Sequence, residues 1–221
     1  MRKWILIFAL LAAAVYFLPR FASTEWIKKK LEARLQSQLG GNVKIEKITL
    51  QWSSEQSCHQ LEWTDPKNGI VFHVDQMVIK APLVDCLRYR EKPLDIIAFG
   101  AQTSFKGNLK LIKKKNKAFE IHFSPIQARV EKGVITFSQI EMDINESIKV
   151  FTWGKIDLQK SRMNLTLGLP PKTLKKLFKA KDLPEDFLLE IPLSCKLNGR
   201  SMERKLLAYF LKNPSLYSLF L

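Results

Sequence analysis

The chain has 221 residues, of which 46% are hydrophobic, and it carries a formal net charge of +15. This length and apolar content exclude a disordered chain and suit one domain, or one elongated unit, with a buried core. The basic charge indicates an anionic partner, either nucleic acid or an anionic membrane surface.

The first 22 residues predict a membrane anchor. Arg2 and Lys3 precede an unbroken apolar run that closes at Pro19-Arg20. The run is short for a spanning helix and also fits the core of a cleavable signal peptide, but no A-x-A pattern follows it. We therefore expect an uncleaved anchor over 1–22, which favours lipid over nucleic acid as partner. Its apolar residues are Trp4, Ile5, Leu6, Ile7, Phe8, Leu10, Leu11, Val15, Phe17 and Leu18.

Charge alone does not fix the orientation of this anchor. Arg2 and Lys3 lie on one side of it, and Arg20 with Lys28-Lys29-Lys30 lies on the other. Counting basic residues favours a body in the cytoplasm.

Residues 23–41 predict an amphipathic helix directly behind the anchor. Ser23 or Thr24 can cap its start, and Gly40-Gly41 ends it. Its apolar stripe, at a spacing of four, either caps the following body or lies on a bilayer, and consists of Ile27, Leu31, Leu35 and Leu39. In either case Lys28, Lys29 and Lys30 are candidates for contact with lipid headgroups.

Residues 42–200 predict a β domain, because the period of the apolar residues changes from four to two. Short turns between the alternating runs indicate antiparallel neighbours. The alternation changes phase between Ile45 and Ile48 and between Phe137 and Ile140, which predicts a bulge or turn at each place. A short helix interrupts the domain at 171–180, and 201–221 predict a C-terminal helix with an apolar tail.

The chain resembles the AsmA-like family of envelope proteins in the order of its features. The segments that carry the resemblance are Ile27–Leu31, the Gly40-Gly41 turn leading to a strand that ends at Trp52, a second strand over 72–83, and the strand over 189–197. Cys195 departs from the family pattern, which often has glycine there. The resemblance implies a single-pass inner-membrane anchor, a body in the periplasm of a Gram-negative-type envelope, and a half-open β groove that moves or senses lipids in outer-membrane assembly.

The fold predicted from these features is mainly β, an elongated antiparallel sheet forming a curved groove with an N-terminal transmembrane helix, an amphipathic helix and a C-terminal helix. The alternative is a dry sandwich core built from the same apolar residues. The groove candidates are Phe105, Leu109, Leu111, Phe119, Ile121, Phe123, Ile135, Phe137, Met142, Leu165, Leu167, Leu189, Ile191 and Leu193.

The sequence contains no catalytic, cofactor or metal motif that we recognise, so we expect a protein that is not an enzyme and binds no cofactor. Cys58 and Cys86 can pair if the body is exported, or all three cysteines are small buried residues. About ten strands spaced by about 4.8 Å reach only about 50 Å, so we expect a module that works with other envelope proteins or as a homo-oligomer.

Three functions fit these expectations. The first is a membrane protein that binds or transfers a phospholipid or a lipopolysaccharide-type lipid. The second is a structural adaptor that adds a partner strand to a sheet edge, resembling the small β-jelly-roll component of lipopolysaccharide export. The third is a cleaved, secreted binding domain.

Overall fold

The structure is a computed structural model, and it describes residues 25–66, 69–88, 92–106, 118–178 and 183–196. The predicted anchor and the predicted C-terminal helix and tail lie outside these residues. Among the described residues, no helix combines the length and the apolar character that crossing a bilayer requires.

The described chain is mainly β, as predicted, with eleven strands in one antiparallel sheet. Three helices accompany the sheet: α1 (Glu25–Leu39), α2 (Leu83–Leu87) and α3 (Pro171–Phe178). The strands are β1 (Asn42–Thr49), β2 (Gln56–Asp65), β3 (Ile70–Ile79), β4 (Leu94–Phe99), β5 (Gln102–Lys106), β6 (Ala118–Phe123), β7 (Ile126–Glu131), β8 (Val134–Ile144), β9 (Ile148–Asp157), β10 (Arg162–Leu169) and β11 (Leu189–Lys196).

Two pairs of short strands act as two long ones. Ala98 of β4 pairs with Ile126 of β7, and Gln102 of β5 pairs with His122 of β6, so one register continues across both gaps. The sheet is therefore a meander of nine strand positions in chain order, with β4–β5 and β6–β7 each filling one position. Eight spacings of about 4.8 Å make it about 38 Å wide.

Helix α1 lies within the predicted 23–41 and α3 within the predicted 171–180, whereas α2 was not predicted; Ser23 and Thr24, the predicted caps of α1, lie outside the described residues. The segment 72–83 is expected to be one strand, but β3 ends at Ile79 and Pro82 is the N-cap of α2. Proline cannot donate a hydrogen bond to a neighbouring strand and suits the start of a helix, which explains the change. Residues 179–180 of the short helix predicted over 171–180 lie outside the described residues.

Two buried clusters lie at opposite ends of the sheet. At one end Val43, Ile45 and Ile48 of β1 pack with Leu35 of α1 and Trp63 of β2. At the other end the fully buried side chain of Leu174 in α3 packs against an apolar set from β9, β10 and β11. That set consists of Val150, Leu169, Leu189, Ile191 and Leu193.

A transverse row of irregular positions crosses six strand positions of the sheet. Gln60 has a φ of 49° and Gly100 a φ of 60°, and the pairing registers place both in one row with Asp75. Ser124 continues the row, because the register that pairs Ala98 with Ile126 and Gln102 with His122 places it opposite Gly100. Along this row the side-chain alternation changes phase, and a register shift between Phe137 and Ile140 accompanies it in β8.

Candidate functional site

One face of the sheet is apolar across all nine strand positions. Directly paired residues of antiparallel strands lie on the same face, so the pairing of the strands defines its members from β1 to β11. At the transverse row of irregular positions, each strand's alternation shifts by one residue, so its apolar residues stay on this face on both sides of the row. We call this surface the apolar face, and its apolar members on β3–β8 include Phe72, Val74, Met77, Ile79, Ile96, Ala98, Phe119, Ile121, Phe123, Ile126, Ala128, Val130, Ile135, Phe137, Ile140, Met142 and Ile144.

The middle of the apolar face is less buried than its two ends. Most of its side chains on β3–β8 are half-buried, whereas the members on β1 and β11 are almost all buried. Helices α1 and α3 pack on β1 and β9 respectively, at the two ends. Phe72 and Phe123 form an edge-to-face pair in the middle, with ring centroids 6.5 Å apart. The half-buried residues thus form an apolar strip between two closed clusters.

Eleven of the groove candidates lie on the apolar face. Phe119, Ile121, Phe123, Ile135, Phe137 and Met142 belong to its middle, and Leu165 and Leu167 extend it onto β10. Leu189, Ile191 and Leu193 are on the same face but are buried beside α3. Phe105 holds the register position opposite Phe119, and Leu109 and Leu111 lie outside the described residues.

The sequence interpretation omitted the contribution of β3 and β4. Phe72, Met77, Ile96 and Ala98 share the middle of the apolar face with Phe123. The sequence does contain a sign of this contribution, because apolar residues alternate at 70, 72 and 74 and again at 77 and 79. Because the alternation shifts by one residue between 74 and 77, the two halves look like separate short segments rather than one strand with a single apolar face.

Helix α1 covers the open edge of β1 with polar side chains. The Glu32 carboxylate accepts a hydrogen bond from the Ile45 N–H at 2.7 Å. The Gln36 amide donates to the Val43 carbonyl at 3.1 Å, and the Lys28 ammonium reaches the Glu46 carbonyl at 3.5 Å. These three helix residues recur at a spacing of four, so one polar side of the helix follows the strand.

This orientation differs from the predicted apolar stripe. Leu35 packs on the cluster at β1, but Leu31 is 40% exposed, because the side of α1 that meets the strand satisfies its backbone groups rather than burying a leucine row. The opposite side presents Trp26, which is 67% exposed, with the Lys30 ammonium 5.0 Å from its ring centroid.

The three headgroup candidates have different environments. Lys28 is half-buried and pairs with Glu25 at 2.6 Å, and the hydrogen bond to that carboxylate raises the pKa of the lysine above its ordinary value. Lys29 and Lys30 are exposed on the outer side of the helix. The anchor residues predicted over 4–18 lie outside the described residues.

The opposite face of the sheet is largely polar, and described residues line two of its depressions. One, of about 470 Å³, is lined by polar residues that include Lys80, Asp95 and Arg129, together with the apolar residues Ile96, Ile97, Ala128 and Phe137. The other, of about 200 Å³, is lined by His73, His122, Glu120 and Gln102 among others. Within the described ranges, no three histidine, cysteine or acidic residues are grouped so that they could hold a metal ion.

The three cysteines are free thiols in the structure, so the pairing of Cys58 with Cys86 is not present. Cys58 lies on the apolar face of β2, opposite Ile48, and burial raises the pKa of its thiol. Burial also raises the pKa of the Cys86 thiol, and the negative charge of Asp85 raises it further by a smaller amount. Cys195 is buried on β11.

Comparison with known proteins gives no relative from which a function can be carried over: no protein-family model, no curated protein and no solved structure matches the chain. The candidate site therefore depends on the chain's own geometry, which is a half-buried apolar strip on one face of a meandering sheet.

Proposed function

We propose that this chain is a membrane-anchored envelope protein whose apolar face binds lipid and helps to transfer it between membranes. The observation that carries the proposal is the apolar face itself, which is continuous across the sheet and half-buried over β3–β8. An antiparallel sheet in water normally has one apolar face and covers it. Here helices α1 and α3 pack at the two ends of that face.

An acyl chain is a suitable cover for the middle of this face. Each methylene moved out of water contributes about 0.8 kcal/mol, so a single fatty chain gains several kcal/mol on an apolar strip of this kind. The closed clusters at β1 and at β9–β11 hold the sheet together at both ends, so the middle can exchange a ligand while the ends stay packed. A phospholipid or a lipopolysaccharide-type lipid supplies such chains.

The proposed location is the inner membrane, with a single pass over 1–22 and the body in the periplasm, as the AsmA-like resemblance implies. Exposed Trp26, Lys29 and Lys30 on α1 support a helix that lies beside headgroups, because tryptophan and lysine suit the membrane interface. Fusions of alkaline phosphatase and of a green fluorescent protein to the C-terminus of the full chain test the orientation. An active phosphatase with a dark fluorescent fusion supports a periplasmic body, and the reverse result contradicts it.

The adaptor function has less support from the geometry. A jelly roll has two packed sheets with Greek-key connections, whereas the described strands form one meander in chain order. Strand addition needs an open edge, and α1 already covers the edge of β1. The other edge strand contains Pro192, which has no N–H to donate to an added strand.

Native mass spectrometry of the full chain extracted in mild detergent tests lipid binding. The informative variant is Ala128→Trp, which places an indole on the middle of the apolar face between Ile96 and Phe137. Its matched control is Gln127→Trp, the neighbouring exposed position on the polar face of the same strand. We expect co-purified lipid on the wild type and on the control, and little on Ala128→Trp.

Circular dichroism and the unfolding midpoint establish that both variants are folded. A lipid-free mass for the folded wild type contradicts the proposal. So does equal lipid retention by the two tryptophan variants, because binding would then not use the apolar face.

A further inference from the structure

A basic cluster surrounds an exposed leucine at the end of the sheet where β8 begins and β9 turns into β10. Leu158, in the turn between β9 and β10, is 51% exposed. The basic side chains around it are all exposed, and we call this group with Leu158 the basic tip: Lys132, Lys155, Lys160, Arg162 and Lys196.

Hydrogen bonds between two turns give the basic tip a defined backbone. The N–H of Leu158 donates to the Gly133 carbonyl at 3.0 Å, which joins the turn after β9 to the turn before β8. The Gln159 amide donates to the Lys132 carbonyl at 3.4 Å. Within its own turn, the Lys160 N–H donates to the Asp157 carboxylate at 2.9 Å. The leucine is therefore presented by an ordered turn.

The register places two like charges directly opposite each other in this cluster. Arg162 of β10 pairs with Lys196 of β11, and such a cross-strand pair destabilises a sheet. Asp157 lies opposite Arg162 on the other side, but it also binds the backbone and the ammonium of Lys160. With Glu131 as the other nearby acid, five basic residues face two acidic ones in the described part of the chain. An anionic surface would relieve the repulsion among the basic residues.

We propose that the basic tip docks on an anionic phospholipid bilayer, with Leu158 entering the headgroup layer. The exposed leucine favours a bilayer over an acidic protein or a nucleic acid, because only a bilayer offers an apolar layer beneath its charges. Each basic residue at an anionic bilayer strengthens the association about fivefold. The tip is six to seven strand positions from β1 and α1, or about 30 Å along the sheet.

The inference rests on the proposed function, which brings the chain to a membrane, and it adds a second membrane contact distant from α1. The full chain is reconstituted into vesicles of phosphatidylcholine. Acceptor vesicles then contain either phosphatidylcholine alone or phosphatidylcholine with phosphatidylglycerol, and tethering is followed by energy transfer between labelled lipids.

The test variant is Leu158→Ser combined with Arg162→Gln, which removes the leucine and relieves the like-charge pair without leaving a buried cavity. The matched control is Leu177→Ser combined with Lys172→Gln on α3, where a leucine is 43% exposed beside lysines. We expect tethering to anionic acceptors to fall about tenfold in the tip variant, from one lost charge and the lost leucine, and to stay unchanged in the control.

Equal tethering by the tip variant and the wild type overturns the inference, and so does an equal loss in both variants or equal tethering to neutral acceptors. Lipid binding is measured on the same preparations by native mass spectrometry. Loss of tethering with bound lipid retained supports the inference, whereas a wild type that tethers but carries no lipid overturns the proposed function alone.

Discussion

The carboxylate of Glu32 on α1 accepts a hydrogen bond from the backbone N–H of Ile45 on β1 at 2.7 Å. Residue 45 is the second buried position of that strand, so its side chain enters the cluster while its N–H is satisfied by the helix. The contact gives α1 two roles, since it contributes Leu35 to the cluster and closes a sheet edge that could otherwise pair with another chain.

Replacing Glu32 with alanine should destabilise the protein and open the edge of β1. The loss of a partly buried hydrogen bond to a charged acceptor costs about 1.5 kcal/mol. Denaturant unfolding measures this change, and sedimentation velocity measures any gain in self-association. Glu25→Ala on the same helix is the control, because it removes only a solvent-accessible ion pair with Lys28, and such surface pairs contribute little to stability. Equal losses in the two variants would contradict the role of the edge contact.

Replacing Leu174 with alanine should be strongly destabilising. Its side chain is completely buried against β9, β10 and β11, and truncation of such a leucine costs about 2–5 kcal/mol. Leu177→Ala, one turn later and 43% exposed, should change the free energy of unfolding by less than about 0.5 kcal/mol. Denaturant titration of the two variants compares them directly. Similar effects would mean that α3 is not held by Leu174.

The turn at Asp157 should give the protein a contribution to stability that disappears in acid. The Lys160 N–H donates to this carboxylate and holds its pKa below the ordinary value, with smaller contributions from the charge of Lys160. A carboxyl whose pKa is lower in the folded state stabilises the fold above its unfolded pKa, near 3.9, and loses that effect as pH falls through the folded pKa.

Asp157→Ala should therefore unfold at lower denaturant concentration than the wild type at pH 7, and the gap should narrow below about pH 4. Asp186→Ala, the same change at an exposed position outside the strands, is the control and should show a smaller gap at pH 7. A gap for Asp157→Ala that is constant from pH 7 to pH 3 would show that the carboxylate charge is not the cause.

Much of the fold follows from local periodicity, and the limits of that prediction have identifiable causes. The alternation in β10 and β11 predicted two strands, and Leu165 does pair with Leu193. The pattern could not show that Leu193 is buried beside α3 while Leu165 is half-buried, because both have the same period. The burial difference arises from a helix that packs over one of them.

The amphipathic helix illustrates the same limit in another way. Its presence and its end before the Gly40-Gly41 turn followed from the sequence, but its orientation did not. Glu32 and Gln36 face the strand because the edge of β1 has backbone groups that need hydrogen-bond partners. The sequence of the helix does not show that it packs beside such an edge.

The sequence by itself determined that the body is an antiparallel β structure with one apolar face, because alternation and short turns are properties of residues that are close together in the chain. It also determined that the alternation changes phase near Glu46 and near Ser138. Only the assembled sheet decided that such changes line up from strand to strand and leave the apolar residues on one surface. Alignment depends on pairing between positions far apart in the chain, and so does the packing that closes the two ends and leaves the middle half-buried.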